Sequence, residues 1–296
     1  MSLTSIRTIS SFLQVEQSYT ISFDYFKTNQ HAFDASMRST LTTWMLEVCE
    51  EEACTNQVFA LSVNLLDRVI CVLSDRIEKR HLQLIGIVCL FIASKLKSVE
   101  SAAPHLDAAK LIDYTAHTFT LGELLEWEMF IMHTLKWDVA AICPNDYLEI
   151  FLSLESTNVN LTNEKMQLLH KHAYAFTALC ATDYRFAFYP PSMIASACFL
   201  TALDGVVPSF ELTSGISEYL AALIHTEVDF LQIVKELVKS LFKTNKSTQT
   251  EMSEKVYFSI HQEKKSLNES SLNPTKSKFS DQFKRRSSRR SGRMRG

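Results

Sequence analysis

The chain has 296 residues, 46% apolar and 21% charged, with a formal net charge of −3, proportions that suit a globular protein of two domains or one large one. Glycine and proline number only 6 each, which excludes a Gly-rich phosphate loop, a dinucleotide fingerprint and a turn-rich sandwich. The longest apolar run, 84–93, is too short to cross a membrane, the N-terminal stretch lacks the apolar centre of a secretory signal, and the 7 irregularly spaced cysteines make no disulfide framework.

Up to about residue 243, apolar residues recur at three- and four-residue intervals without an alternating segment, so the body is expected to be all-α. In chain order the spacing predicts helices over 36–51, 57–73, 79–96, 108–114 and 121–135. After the turn Cys143-Pro144-Asn145-Asp146 it predicts five more, over 145–153, 163–182, 191–203, 216–223 and 226–242. Thr120 ahead of LGELLEWE and the pair Pro190-Pro191 ahead of Ser192 are helix-start signals. Residues 84–93 and 193–203 are apolar on nearly every side, and a helix without a polar face belongs at the centre of a bundle. Small residues in each (Gly86, Ala93 and Ser94; Ala195, Ser196 and Ala197) allow neighbouring helices to come close. Two tandem five-helix halves are therefore expected, with the local similarity of their central helices hinting at duplication.

The balance of charge is uneven. From Thr244 to Gly296 the chain has 13 Lys and Arg against 5 Asp and Glu, a surplus of eight positive charges, whereas the remainder has 17 against 28. The segment 244–296 is too poor in apolar residues to offset its ordering entropy and is expected to be disordered. Its basic run, Lys284, Arg285, Arg286, Arg289 and Arg290, is a candidate nuclear-import signal, with Ser287 or Ser288 as phosphorylation sites that would tune it. The acidic body repels phosphate, so specific nucleic-acid binding is not expected. No metal or cofactor is expected either: Cys49 and Cys54 are too far apart in sequence for a CxxC pair, and His170 and His172 lie about 200° apart on a helix. No nucleophile elbow or HExxH motif points to catalysis, and Glu50, Glu51 and Glu52 read as an exposed helix end. The cysteine pattern and the missing signal imply an intracellular, reduced setting.

The segment Met37-Arg38-Ser39-Thr40-Leu41-Thr42-Thr43-Trp44-Met45-Leu46-Glu47-Val48 resembles the MRxxLxxWxxEV signature that opens a cyclin box. The resemblance continues through Leu66-Asp67-Arg68, Leu82-Gln83-Leu84-Ile85-Gly86, Ala93-Ser94-Lys95, Tyr114-Thr115 and Leu135-Lys136-Trp137-Asp138, while 170–197 is similar to the second box of D-type, G1-phase cyclins. It covers about 20–243 and implies two stacked five-helix cyclin folds: an N-terminal segment 1–19, a first box 20–140, a second box 141–243 and the tail 244–296. It further implies a non-catalytic regulatory subunit of a G1 cyclin-dependent serine/threonine kinase, active in nucleus and cytoplasm on retinoblastoma-family substrates. By resemblance, Met37, Leu41 and Trp44 line a groove for RxL-type segments of substrates or inhibitors, Glu47 pairs with the ligand's basic residue, and Gln83 bonds its backbone. Thr40 stands where many cyclins have Ile or Val, which trims the apolar contact. Lys95 and Glu128 are the polar pair that engages the kinase.

This sequence departs from the D-type pattern in three respects. No LxCxE segment precedes the first box, Leu46-Glu47-Val48-Cys49-Glu50 not being one, which removes the basis for expecting pocket docking through that motif. None of the prolines follows Ser or Thr, so a Thr-Pro phosphodegron is missing, and a basic run replaces the acidic tail stretch. The rival readings are a cyclin-fold adaptor or transcription-associated protein, which the acidic body opposes, and a mitotic cyclin, which the D-like second box opposes.

Overall fold

A computed structural model describes residues 3–21, 34–73, 77–101, 105–158, 161–207 and 210–248. Among them there is no strand, and eleven α-helices are joined by short turns and three 3-10 segments. The helices are α1 (Leu3–Val15), α2 (Ala35–Glu51), α3 (Asn56–Leu73), α4 (Leu82–Ser101), α5 (Ala108–Tyr114) and α6 (Leu121–Thr134), then α7 (Pro144–Asn158), α8 (Asn163–Thr182), α9 (Pro191–Val206), α10 (Phe210–Leu223) and α11 (Val228–Thr248). Residues 1–242 form one compact unit and Lys243 to Gly296 a second, of which the described part is the end of α11.

Local chemistry sets most of the helix starts. Asp34 accepts from the Met37 N–H at 2.8 Å to open α2, and Asp107 accepts from Ala109 at 3.1 Å to open α5. Thr120 and Glu123 form a reciprocal capping box on α6, which satisfies two of the otherwise orphaned helix groups. Asp146 accepts from the Cys143 N–H at 2.7 Å and closes the turn ahead of α7.

Two apolar cores follow, as the two all-round apolar helices require. Residues 84–93 of α4 are all buried, and α2, α3, α5 and α6 pack round them. Similarly, α9 is buried from Pro191 to Leu203 and is surrounded by α7, α8, α10 and α11. The small residues act as expected: a Cβ on Gly86 would stand 3.0 Å from Leu41 Cδ1 and 3.3 Å from Met45 Sδ, so α4 reaches α2 through that missing methyl. On length and mean hydropathy (1.4) α3 could cross a membrane, but 61% of it is buried inside the first bundle, the mark of a core helix.

Several expectations need correction. The N-terminal segment contains a helix, α1, whose Ile9 is buried in the second core with Phe12 and Leu13 packed against it. Immediately after it, Glu16 is buried and accepts from the Ser192 N–H at 3.0 Å and the Ser192 hydroxyl at 2.8 Å. A carboxylate from the start of the chain therefore caps the axial helix of the second bundle, where the helix dipole favours an anion. The helix foreseen from 216 starts at Phe210, and the one foreseen to end at 242 runs to Thr248, so residues 244–248 are helical rather than disordered tail. The rest of the tail, 249–296, lies outside the described residues.

Candidate functional site: two faces of the first bundle

One face is built on α2. Its inner side buries Arg38, Leu41, Thr42, Met45, Val48 and Cys49, spaced by three and four residues. Its outer edge carries Met37 and Trp44, half-buried against the first core, with Thr40 and Glu47 exposed. Thr40 turns its hydroxyl back to the Ser36 carbonyl at 2.9 Å, so it adds little apolar surface. Gly86 of α4 meets Leu41, and half-buried Gln83 lies one turn earlier on that same side of α4. Leu41 thus meets the start of α4, while Met37 and Trp44 pack half-buried against the first core and Glu47 is exposed on the same helix. Val48, which shares their helical face, belongs to the core at 1% exposure. Burial, and then the neighbouring charge of Glu47, push the Glu50 carboxyl up.

The second face lies at the end of α4. Lys95 forms an ion pair with Glu128 of α6, and its ammonium also sits 4.0 Å from the centre of the Phe91 ring. Leu121, Leu125 and Met129 of α6 are exposed and fall within the same arc of the helix as Glu128. The ion pair is thus flanked by an exposed apolar stripe. On the other flank of α6, Trp127 stacks near His81 (5.2 Å between ring centres) and edge-on to Phe130 at 5.3 Å.

Behind both faces stands an arrangement that sequence reasoning missed. Arg38 is 1% exposed and makes a two-pronged ion pair with Asp67 of α3, Nε to Oδ1 at 2.7 Å and Nη2 to Oδ2 at 2.6 Å. Its remaining Nη1 donates to the Ala181 carbonyl at the end of α8, 3.1 Å away. One guanidinium therefore joins α2 to the second bundle, with the planar fork that such a site requires. Both residues stand in the quoted motifs, but their pairing has no local signal. Nor is Glu52 a merely exposed helix end: it accepts from Lys110 (3.0 Å) and Tyr114 (2.9 Å), and the Lys110 bond leads in holding its carboxyl below the usual range. The basic run Lys284, Arg285, Arg286, Arg289 and Arg290 lies outside the described residues.

Two stacked five-helix bundles with these faces define a cyclin-type regulatory fold, and comparison with known proteins agrees. The cyclin N-terminal domain family matches residues 7–140 and the cyclin C-terminal domain family matches 142–275. The chain belongs to the cyclin family, and so is a regulatory subunit of a cyclin-dependent kinase. Within that family it is similar to G1/S-specific cyclin-D2 of Xenopus laevis, 42% identical over 258 residues, covering 84% of this chain and 85% of that protein. G1/S-specific cyclin-D2 of Mus musculus is 41% identical over 239 residues, 79% of each chain. Among solved structures, a viral cyclin from herpesvirus saimiri superposes with a TM-score of 0.66 at 24% identity, covering 79% of this chain and 96% of that one, a likeness of fold.

Proposed function

We propose that this cyclin activates a G1 cyclin-dependent serine/threonine kinase and promotes the G1/S transition through phosphorylation of retinoblastoma-family substrates. The observation that carries the reading is the Lys95–Glu128 pair with Leu121, Leu125 and Met129 exposed beside it. The apolar stripe supplies the area of a kinase contact, and the charged pair supplies its register. The cyclin contributes no catalytic group. It binds the kinase conformation in which the mobile helix is turned in, which completes the kinase's own Lys–Glu pair and orders its activation segment, a shift of population. Met37, Leu41, Trp44, Glu47 and Gln83 receive RxL segments of substrates and of kinase-inhibitor proteins: the apolar side chains take the leucine and Glu47 takes the arginine. Nuclear as well as cytoplasmic residence, through the basic run at 284–290, belongs to the same reading.

The test is co-purification of the protein with purified G1 and mitotic kinases, followed by phosphate transfer to a retinoblastoma-family fragment. Lys95→Glu is expected to abolish kinase binding in a protein that stays folded, and Trp44→Ala to retain activity on a generic peptide while losing preference for RxL-bearing substrates. Binding to no kinase would leave a cyclin-fold adaptor instead. Equal loss on both substrates in Trp44→Ala would make Trp44 a core residue.

A further inference from the structure

We propose that Cys49 and Cys54 are a peroxide-sensitive dithiol that closes to a disulfide at the C-terminal end of α2. The two residues are not a CxxC pair in sequence, but the backbone brings them together. Beyond Glu51 the chain reverses, with the Glu52 N–H bonded to Val48 O at 3.0 Å, the Ala53 N–H to Glu50 O at 3.2 Å and the Cys54 N–H to Cys49 O at 2.8 Å. Ala53 takes the left-handed conformation (φ 50°) that this reversal needs. The result lays Cys54 back over the last turn of α2, beside Cys49, as a helix-ending reversal of this kind does.

Their surroundings differ in the way that assigns each a role. Cys49 is 4% exposed within the first core, whereas Cys54 is only half-buried at the turn. Access sets the order of events, and the neighbouring Cys49 thiol acts in the same direction by lowering the pKa of Cys54 against burial and the Glu52 charge, while Cys49 itself is raised. Cys54 is therefore the attacking thiolate and Cys49 the resolving thiol.

With hydrogen peroxide as oxidant, the Cys54 thiolate attacks one peroxide oxygen. The O–O bond breaks and the departing hydroxide is protonated to water, leaving a sulfenic acid on Cys54. The Cys49 sulfur then attacks the Cys54 sulfur, the S–O bond breaks, and hydroxide leaves with the Cys49 proton as a second water. Two thiols are oxidised and one peroxide is reduced. The molecule carries its own reference: Cys180 and Cys198 stand with sulfurs 3.6 Å apart, but both are fully buried, and burial pushes the Cys180 thiol well up. Proximity alone predicts that both pairs oxidise, whereas proximity with access and thiolate character predicts only the first.

The test uses the purified full chain, treated with rising doses of hydrogen peroxide, alkylated and digested with trypsin. Cys49 and Cys54 share the peptide 39–68, while Cys180 and Cys198 fall in separate peptides, 172–185 and 186–235. The expected result is that 39–68 loses two hydrogens and escapes alkylation at lower peroxide than any cross-link of the other two peptides, and that dithiothreitol restores it. In Cys49→Ser the Cys54 sulfenic acid should persist and take up dimedone. Cross-linking of Cys180 to Cys198 with 39–68 still fully alkylated, or no dimedone adduct on Cys54 in Cys49→Ser, would overturn the proposal. Cys54→Ser, altered only at the half-exposed position, should leave Cys49 reduced throughout, and oxidation of Cys49 in that variant would equally overturn it. The inference stands whatever binds the outer face of α2.

Discussion

Arg38 shows how much a single residue can carry in this fold. Its charge is buried, matched by Asp67 and anchored to the Ala181 carbonyl, so removing one partner leaves the other's buried charge without its counter-ion. Arg38→Met is expected to lower unfolding free energy by about 3–5 kcal/mol, and the double variant Arg38→Met/Asp67→Leu to recover most of it, because an apolar pair needs no compensation. Urea unfolding of the single and double variants measures both. At this scale the sequence could not rank the exposure of the residues it named. The 3.6-residue period puts Met37, Leu41, Trp44 and Val48 on one face, yet Val48 is core while Met37 and Trp44 remain half-exposed. That difference depends on how far α4 extends beside α2, which no window of sequence contains.

At the scale of elements, the glycines separate packing from propensity. Gly86 sits where a methyl would meet Leu41 Cδ1 at 3.0 Å, whereas Gly205, near the end of α9, has nothing within 4 Å. Gly86→Ala is therefore expected to destabilise by about 1–3 kcal/mol through overpacking. Gly205→Ala is expected to stabilise by about 0.5–1 kcal/mol through helix propensity and reduced unfolded-state entropy. Opposite shifts of thermal midpoint in the two variants would verify the contrast. Most helices were legible because an apolar period and a capping residue coincide, as at Asp107 and Thr120. Helix α1 was not: LTSIRTISSFLQV is rich in Ser and Thr, whose intrinsic preference for helix is weak. The spacing of Ile6, Ile9 and Phe12 or Leu13 was the available signal. What stabilises α1 is burial of Ile9 in a core more than 130 residues away in sequence.

At the scale of the whole molecule, Glu16 ties the start of the chain to the second bundle. It caps α9 through Ser192, and its charge adds to burial in pushing the Tyr147 hydroxyl pKa up. Glu16→Ala leaves the Ser192 N–H and hydroxyl without their acceptor in a buried site, at a cost of about 1–3 kcal/mol. Hydrogen exchange should then accelerate at the start of α9 and in α1, while α4 keeps its protection; uniform acceleration would contradict a local cap. Asn145, whose Nδ2 donates to Asn56 O at 2.8 Å, and Lys97, 3.6 Å from Asp146, join the bundles at other points.

The amino-acid order by itself determined the helical class, the two apolar axles, the turn between the halves, the acidic body with its basic end, and the motifs that resemble the cyclin box. Each of these is a local or additive property: periodicity, composition and the identity of a few residues in register. The tertiary structure alone decided which apolar side chains of α2 stay accessible, that Arg38 meets Asp67 and Ala181, that α1 and Glu16 serve the second bundle, and that Cys54 returns to Cys49. Those contacts depend on the close approach of packed helices and on a left-handed turn, and their free energy exists only once distant segments share one dry interior.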